Sequence, residues 1–178
     1  VEYEDDGTIK KMAPLVKEAP AKVRRRVIGD LDQAYYPDKP IVPYMDIVHD
    51  RAVLEVMRGC QRSCRFCHAG MVYRPVRERS VDTLKKQAAA QLASTGYEEI
   101  SLASLSTLDY SGVSPLVKDL VKEYGPQGTG VSLPSLRVDA FSIDLANEVQ
   151  KVRKTTLTLA PEAGTQRLRD VINKNVSD

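Results

Sequence analysis

The residues with the clearest chemical potential are three cysteines in one eight-residue run, Cys60-Gln-Arg-Ser-Cys64-Arg-Phe-Cys67. They are all the cysteines of the chain. Three thiolates cannot complete a four-ligand shell around one metal, but they can bind three irons of a four-iron, four-sulfur cluster. The fourth iron then has an open position for a small molecule. The spacing therefore predicts a [4Fe-4S] cluster with Cys60, Cys64 and Cys67 as its metal ligands.

Other states of these thiols stay open on the sequence alone. A disulfide is disfavoured by the odd count and by the strained geometry of a bridge inside so short a loop. Structural zinc needs a fourth ligand, and the only histidines are His49 and His68. Inert buried cysteines do not fit the polar residues around them. A non-enzymatic iron-sulfur or zinc-binding module is therefore the alternative to a catalytic centre.

The elements that must position the cysteines alternate between strand and helix from residue 53 onwards. Strands are predicted at 54–57, 99–105, 130–138 and 155–159, and helices at 81–94, 114–124, 143–152 and 165–172. This alternation implies right-handed crossovers and a parallel sheet, so the predicted fold class is α/β. In such folds the loops after the carboxyl ends of the strands form the site. The cysteine run directly follows the first predicted strand.

Residues 1–52 differ from the rest because they are rich in proline and charge and have little periodic pattern. They are predicted to be an N-terminal extension or linker before a domain at 53–178. Its prolines should keep the stretch around 37–43 extended against that domain. The basic run at 22–26 is interpreted as a solvated stretch, with a nucleic-acid contact as the alternative.

Composition limits the partners and the compartment. With 42% hydrophobic residues in 178, the chain can bury a core. No apolar run approaches the roughly 20 residues that cross a bilayer, so no membrane partner is predicted. The net charge of +2 does not by itself indicate nucleic acid, which stays open as a partner. Unpaired thiols in a metal-binding pattern predict a reducing, cytoplasmic location. Because the chain begins without methionine, we expect it to be a piece of a longer protein.

The C-x3-C-x2-C pattern, with Phe66 before its last cysteine and an apolar run at 53–57 before its first, resembles the radical S-adenosylmethionine (radical SAM) superfamily. The surrounding segments 54–60 and 67–80 resemble a poorly characterised bacterial branch whose longer members carry a cobalamin-binding-type domain upstream. The resemblance implies a partial (β/α) barrel with six strand-helix units. About four are predicted here, so 53–178 would be the N-terminal two thirds of such a core, and it is expected to lack the strands that complete the pocket.

The same resemblance implies a reaction and its cofactors. S-adenosylmethionine (SAM) would bind the open iron, and the reduced cluster would pass one electron to its sulfonium. Cleavage would give methionine and a 5′-deoxyadenosyl radical, which takes a hydrogen atom from an unidentified substrate. The electron donor would be a protein such as flavodoxin or ferredoxin. Methylthiotransferases that modify transfer RNA or a ribosomal protein share a looser version of the pattern, and they normally need three further cysteines. A reaction of their kind on RNA or protein is the alternative.

By resemblance, four segments would contact SAM, although no catalytic residue is predicted. Ser104 and Ser106 follow the second strand, where many superfamily members have a Gly-Gly-Glu-like segment that holds the methionine amino group. The alternative is that these serines only satisfy the backbone of their own loop. Arg137 would pair with the SAM carboxylate, or else with Asp139. Phe66 would pack beside the adenine or seal the cluster loop.

The loop after the fourth predicted strand is expected to contact the ribose. Glu162 would accept hydrogen bonds from the ribose hydroxyls, and Gly164 would let the backbone approach the ligand. The alternative is that Glu162 only complements the N-terminus of the following helix. Three arginines, Arg74, Arg77 and Arg79, follow the cysteines. One of them is expected to neutralise the cluster or to bind a negatively charged substrate group, and the other two to be solvated.

Overall fold

The computed structural model describes residues 1–134, 136–139, 142–154 and 157–177. The strands in this part of the chain are β1 (Glu2–Tyr3), β2 (Ile9–Lys11), β3 (Ala52–Glu55), β4 (Met57–Arg58), β5 (Arg77–Glu78), β6 (Glu99–Ala103) and β7 (Gly130–Ser132). The helices are α1 (Ala69–Val72), α2 (Val81–Thr95), α3 (Val113–Tyr124), α4 (Ile143–Gln150) and α5 (Gln166–Val171). None of these described helices is long and apolar enough to span a bilayer.

The central feature is an open parallel sheet of three strands in the order β3-β6-β7. Leu54 lies opposite Leu102, and Ser101 lies opposite Ser132. Beyond β7, a single parallel bridge joins Leu136 to Leu159. The strands therefore follow one another across the sheet in chain order. The α/β class with a parallel sheet is confirmed.

The four predicted helices correspond to α2–α5 within about two residues, whereas α1 was not predicted and two of the predicted strands differ. The first predicted strand, 54–57, is divided, because β3 ends at Glu55 and β4 turns away to pair with β5 in an antiparallel ladder. The third, 130–138, ends already at Ser132. Pro134 follows shortly afterwards and has no N–H to donate to a neighbouring strand. Of the fourth, 155–159, residues 155 and 156 lie outside the described residues.

The core lies between the sheet and the helices that cover one of its faces. Leu54, Leu102 and Val131 are fully buried sheet residues, and they belong to one cluster with Leu84 of α2 and Leu120 of α3. Both ends of α2 are capped. The Ser80 hydroxyl accepts a hydrogen bond from the Thr83 amide at 3.2 Å, and Gly96 ends the helix with φ of 72°. This packing fixes the position of the sheet strands, whose carboxyl ends support the site.

Part of the N-terminal extension is attached to the domain along α2. The Leu31 carbonyl accepts a hydrogen bond from Nη1 of the buried Arg79 at 2.7 Å. The Asp32 carboxylate accepts one from the Ser80 amide at 2.8 Å, and the Pro37 carbonyl accepts one from Gln91 at 3.3 Å. The hairpin of β1 and β2 is exposed. Residues 31–38 therefore form a strap across the outer side of α2.

Candidate functional site

The cysteines lie in an excursion, residues 59–76, that leaves and rejoins the domain through the β4–β5 ladder. Cys60 donates its amide hydrogen to the Tyr73 carbonyl at 3.1 Å. Gly59 has φ of 101°, and a Cβ there would lie 2.5 Å from the Tyr73 oxygen. A Cβ on Gly70 of α1 would lie 2.2 Å from the Arg62 carbonyl oxygen. Two glycines thus let the backbone close into a compact loop beyond the carboxyl end of β3.

All three cysteines are free thiols; Cys60 and Cys64 are buried, and Cys67 is partly exposed. Among the described residues, no three His, Cys, Asp or Glu side chains converge on a single metal ion, so neither His49 nor His68 completes such a site. A cluster makes a different demand, because each thiolate binds a separate iron. The chemistry of this donor set, three free thiols in one loop, fits a three-cysteine cluster better than a closed zinc site.

The three arginines after the cysteines bind backbone carbonyls. Arg74 holds the inside of the loop, donating to Gly70 at 2.6 Å and to Gln61 at 3.2 Å. Arg77 donates to the Ile28 carbonyl at 3.3 Å, and Arg79 to Leu31. Two other guanidinium groups, those of Arg137 and Arg62, lie near the thiols.

The first of these belongs to Arg137, which is buried beside Cys64. Its Nη1 lies 3.7 Å from the Cys64 sulfur. Its Nε and Nη2 donate to the two carboxylate oxygens of Asp139 at 2.9 and 3.1 Å, and Nη2 also donates to the Lys174 carbonyl at 2.6 Å. Burial alone would lower the pKa of Arg137, but the hydrogen bonds and charge of Asp139 raise it above its ordinary value. The pair with Asp139, one of the two interpretations left open by the sequence, is therefore present.

The second belongs to Arg62, between the first two cysteines. Its Nε donates to the Asp109 carboxylate at 2.8 Å, and its Nη1 lies 3.3 Å from Asp139. The hydrogen bond to Asp109 is the main cause that raises the pKa of Arg62. Burial would raise the pKa of Asp109, but the hydrogen bonds from Arg62 and Ser106 hold it below its ordinary value. Asp109, Arg62, Asp139 and Arg137 thus form an alternating series, the Arg–Asp row, that links the loops after β3, β6 and β7.

The sequence interpretation did not include Arg62 or Asp109. The signal that could have found Asp109 is its position in the loop after β6, because polar side chains after parallel strands meet at the same edge. Ser104 and Ser106, which were predicted there, bond within their own loop. The Ser104 hydroxyl accepts a hydrogen bond from the Ser106 amide at 3.1 Å, and the Ser106 hydroxyl donates to Asp109 at 2.8 Å. Ser104 also lines a cleft of about 500 Å³ that lies beside Gly59 and Tyr73.

Phe66 and Glu162 meet at the rim of the cysteine loop through Lys174. The Lys174 ammonium donates to Glu162 at 3.0 Å and lies 5.9 Å from the centroid of the Phe66 ring. Phe66 is 55% exposed. Gly164 is exposed, with no atom within 4 Å of where a Cβ would stand. Thr165 caps α5 by accepting a hydrogen bond from the Leu168 amide.

Residues 172–174, directly after α5, brace the cysteine loop from the other side. The Ile172 carbonyl accepts a hydrogen bond from the Arg65 amide at 2.9 Å. The Asn173 side-chain amide donates to the Ser63 carbonyl at 2.8 Å. Asn173 has φ of 55°, a conformation that asparagine tolerates better than most residues. The loop that holds the three thiols is therefore supported both by the β4–β5 ladder at its base and by residues 172–174.

A family model for the radical SAM superfamily matches residues 54–178. The chain belongs to this superfamily. The resemblance drawn from the cysteine pattern is thereby confirmed. The radical SAM match begins inside β3 and contains the cysteine loop, the whole Arg–Asp row and the brace at 172–174.

Individual relatives of this radical SAM chain agree with that match. An uncharacterised protein of Methanocaldococcus jannaschii is 36% identical over 126 residues, which cover 71% of this chain and 27% of that protein. The ribosomal protein uS12 methylthiotransferase RimO of Prochlorococcus marinus is 33% identical over 115 residues, covering 62% of this chain and 25% of RimO. The RimO of Acaryochloris marina is 25% identical over 160 residues, 87% of this chain and 34% of RimO. The chain spans about a quarter to a third of these relatives.

Proposed function

We propose that this chain is the cofactor-binding part of a radical SAM enzyme. Cys60, Cys64 and Cys67 would each bind one iron of a [4Fe-4S] cluster, and SAM would bind at the fourth iron. The observation that carries this proposal is the position of the three free thiols: they lie beyond the carboxyl end of β3, where the Arg–Asp row draws together the loops after β6 and β7. When bound, the cluster would supply the electron for reductive cleavage of the carbon–sulfur bond of SAM.

The protein's own residues would position SAM and keep its surroundings ordered. Glu162, held by Lys174 at the rim, would accept hydrogen bonds from the ribose hydroxyls, and the open space at Gly164 would admit the ligand beside the backbone. Phe66, exposed at the same rim, would pack against the adenine. Arg137 would attract the SAM carboxylate with its charge. Ser104 and Ser106 would shape the opposite wall through the loop they stabilise.

We also propose that the open sheet is part of a radical SAM (β/α) barrel, with about four of its six strand-helix units in 53–178 and an extension in 1–52. The sequential strand order and the parallel bridge between Leu136 and Leu159 support this assignment. The whole enzyme would take its electron from a donor such as flavodoxin or ferredoxin and act in the cytoplasm on a substrate still to be identified.

Anaerobic reconstitution with iron and sulfide tests the ligand set. The unaltered protein should bind about four irons per chain, absorb visible light, and release 5′-deoxyadenosine when given SAM and a strong reductant. Cys60→Ser, Cys64→Ser and Cys67→Ser should each lose the cluster and the cleavage. Gln61→Ala is the matched control, since Gln61 is an exposed residue of the same loop, and it should retain both.

Two results would defeat the proposal. One is a preparation that binds about one zinc per chain and no iron after anaerobic handling, which would support a structural zinc module instead. The other is full iron content in any of the three cysteine variants.

A second candidate is methylthiotransfer, and the RimO relatives favour it. By resemblance, such enzymes need three cysteines for an auxiliary cluster, and this chain has only the three of its single loop. The further cysteines would have to come from outside these 178 residues. Mass spectrometry of ribosomal protein uS12 and of transfer RNA from cells with and without the parent gene would test it. Loss of a methylthio group from either molecule supports this candidate, and unchanged modification of both excludes it.

A further inference from the structure

We infer that Arg137 sets the reduction potential of the cluster by donating a charge-assisted hydrogen bond to the sulfur of Cys64. This role rests on the proposed function. It differs from the attraction of a SAM carboxylate, because it concerns the protein with the cluster alone, before SAM binds.

The contact itself is the first support. Arg137 Nη1 is 3.7 Å from the Cys64 sulfur, which is within hydrogen-bonding range for the large sulfur atom. Both residues are buried, with 8% and 7% of their surfaces exposed. In such surroundings water competes little for the donor or the acceptor, so a guanidinium hydrogen bond is stronger there than on the surface.

The second support is that Arg137 is held in place from two sides. Asp139 takes the Nε hydrogen and one Nη2 hydrogen, and the Lys174 carbonyl accepts from Nη2 as well. Nη1 is thereby turned toward the cysteine loop. Asp139 in turn lies 3.3 Å from Nη1 of Arg62, which Asp109 holds. Arg137 is thus a positioning and tuning residue whose orientation depends on the loops after all three sheet strands.

The direction of the effect follows from charge. A hydrogen-bond donor on a cluster thiolate withdraws negative charge from the sulfur and stabilises the state with more electrons. The carboxylate of Asp139 bonds to the other two nitrogens of the guanidinium and therefore does not occupy the donor that faces Cys64. Arg137 should make the cluster easier to reduce, which raises its midpoint potential.

The test measures that potential in the reconstituted protein without SAM. Arg137→Gln removes the charge, and Arg137→Lys retains a charge but, with three donors on one nitrogen, cannot reproduce the four hydrogen bonds of the guanidinium. Arg153→Gln is the matched control, because Arg153 pairs with exposed Glu98 just before β6, at the amino end of the sheet. Redox titration followed by electron paramagnetic resonance gives the potential, and resonance Raman spectroscopy gives the stretching frequencies of the iron–thiolate bonds.

We expect Arg137→Gln to lower the equilibrium constant for reduction at least tenfold, a shift of about 59 mV to more negative potential for one electron. Arg137→Lys should give a smaller shift in the same direction. The iron–thiolate stretch should move to higher frequency in both, since the sulfur no longer shares charge with a strong donor. Arg153→Gln should leave both quantities unchanged.

An assembled cluster with unchanged potential and Raman frequencies in both variants would overturn the inference and leave the proposed function intact. A shift to more positive potential would also overturn it. If both variants fail to fold without iron, Arg137 serves only the stability of the loop and the inference is wrong. If the unaltered protein assembles no cluster, the proposed function fails, and this inference fails with it.

Discussion

The glycine that precedes the first cysteine offers the sharpest test of how the loop is held. Gly59→Ala adds a Cβ that would lie 2.5 Å from the Tyr73 oxygen, 2.9 Å from the Pro75 oxygen and 3.2 Å from the Val76 Cα. All three atoms are backbone, so none can rotate away as a flexible side chain would. The residue also has φ of 101°, which any residue with a Cβ adopts only under strain.

The two costs can be estimated separately. The left-handed backbone costs a residue with a Cβ about 1–2 kcal/mol, and forcing an extra carbon into a packed site costs about 1–3 kcal/mol. Gly59→Ala should therefore lower the free energy of unfolding by about 2–5 kcal/mol. In a chain of this size each kcal/mol lowers Tm by about 2–4 °C. The variant should also lose iron, because Gly59 adjoins the Cys60 ligand.

Two further glycines separate the contributions. Gly128 has φ of 84° and nothing within 4 Å of its hypothetical Cβ, so Gly128→Ala should show the backbone cost alone. Gly70 is helical, and its Cβ would lie 2.2 Å from the Arg62 oxygen, so Gly70→Ala should show the steric cost without the left-handed backbone, offset by the roughly 0.5–1 kcal/mol that alanine gains in a helix. Thermal and urea unfolding of the iron-free proteins, followed by circular dichroism, measures all three. If Gly59→Ala and Gly128→Ala agree within about 0.5 kcal/mol, the reasoning from close backbone contacts is refuted.

Three other changes test other parts of the domain. Burial raises the pKa of Tyr110 to about 12. The stability that the neutral Tyr110 side chain contributes to the fold is therefore fully present below about pH 10 and is lost as the pH rises through about 12. Between these values the free energy of unfolding should depend less on pH in Tyr110→Phe than in the unaltered protein, and equal slopes for the two would contradict this. Arg79→Met leaves the Leu31 carbonyl without its donor and should cost about 1–3 kcal/mol, with faster chymotryptic cleavage after Tyr35 in the 31–38 strap; unchanged cleavage would argue against the strap. Asn173→Ala removes the hydrogen bond to Ser63, so a chelator should extract iron several-fold faster, and an unaltered rate would show that the brace is dispensable.

The sequence alone was sufficient for features that depend on neighbours along the chain. The three thiols lie in one run of eight residues, so the radical SAM resemblance, which the family match confirms, did not require a fold. The ends of α2 were also readable, because Ser80 and Gly96 act on backbone groups within a few residues. The parallel direction of the strands was also readable, because strands joined by helical crossovers run the same way in a sheet.

Tertiary structure decided which groups from distant parts of the chain meet around those thiols. Arg62 and Asp109 are 47 positions apart, Arg137 and Cys64 are 73 apart, and Asn173 and Ser63 are 110 apart. Such pairs depend on strand register and on where each loop crosses the carboxyl edge of the sheet, and no local pattern records either. Ligand spacing is a local property, whereas the electrostatic environment of a ligand is created only when distant loops pack together.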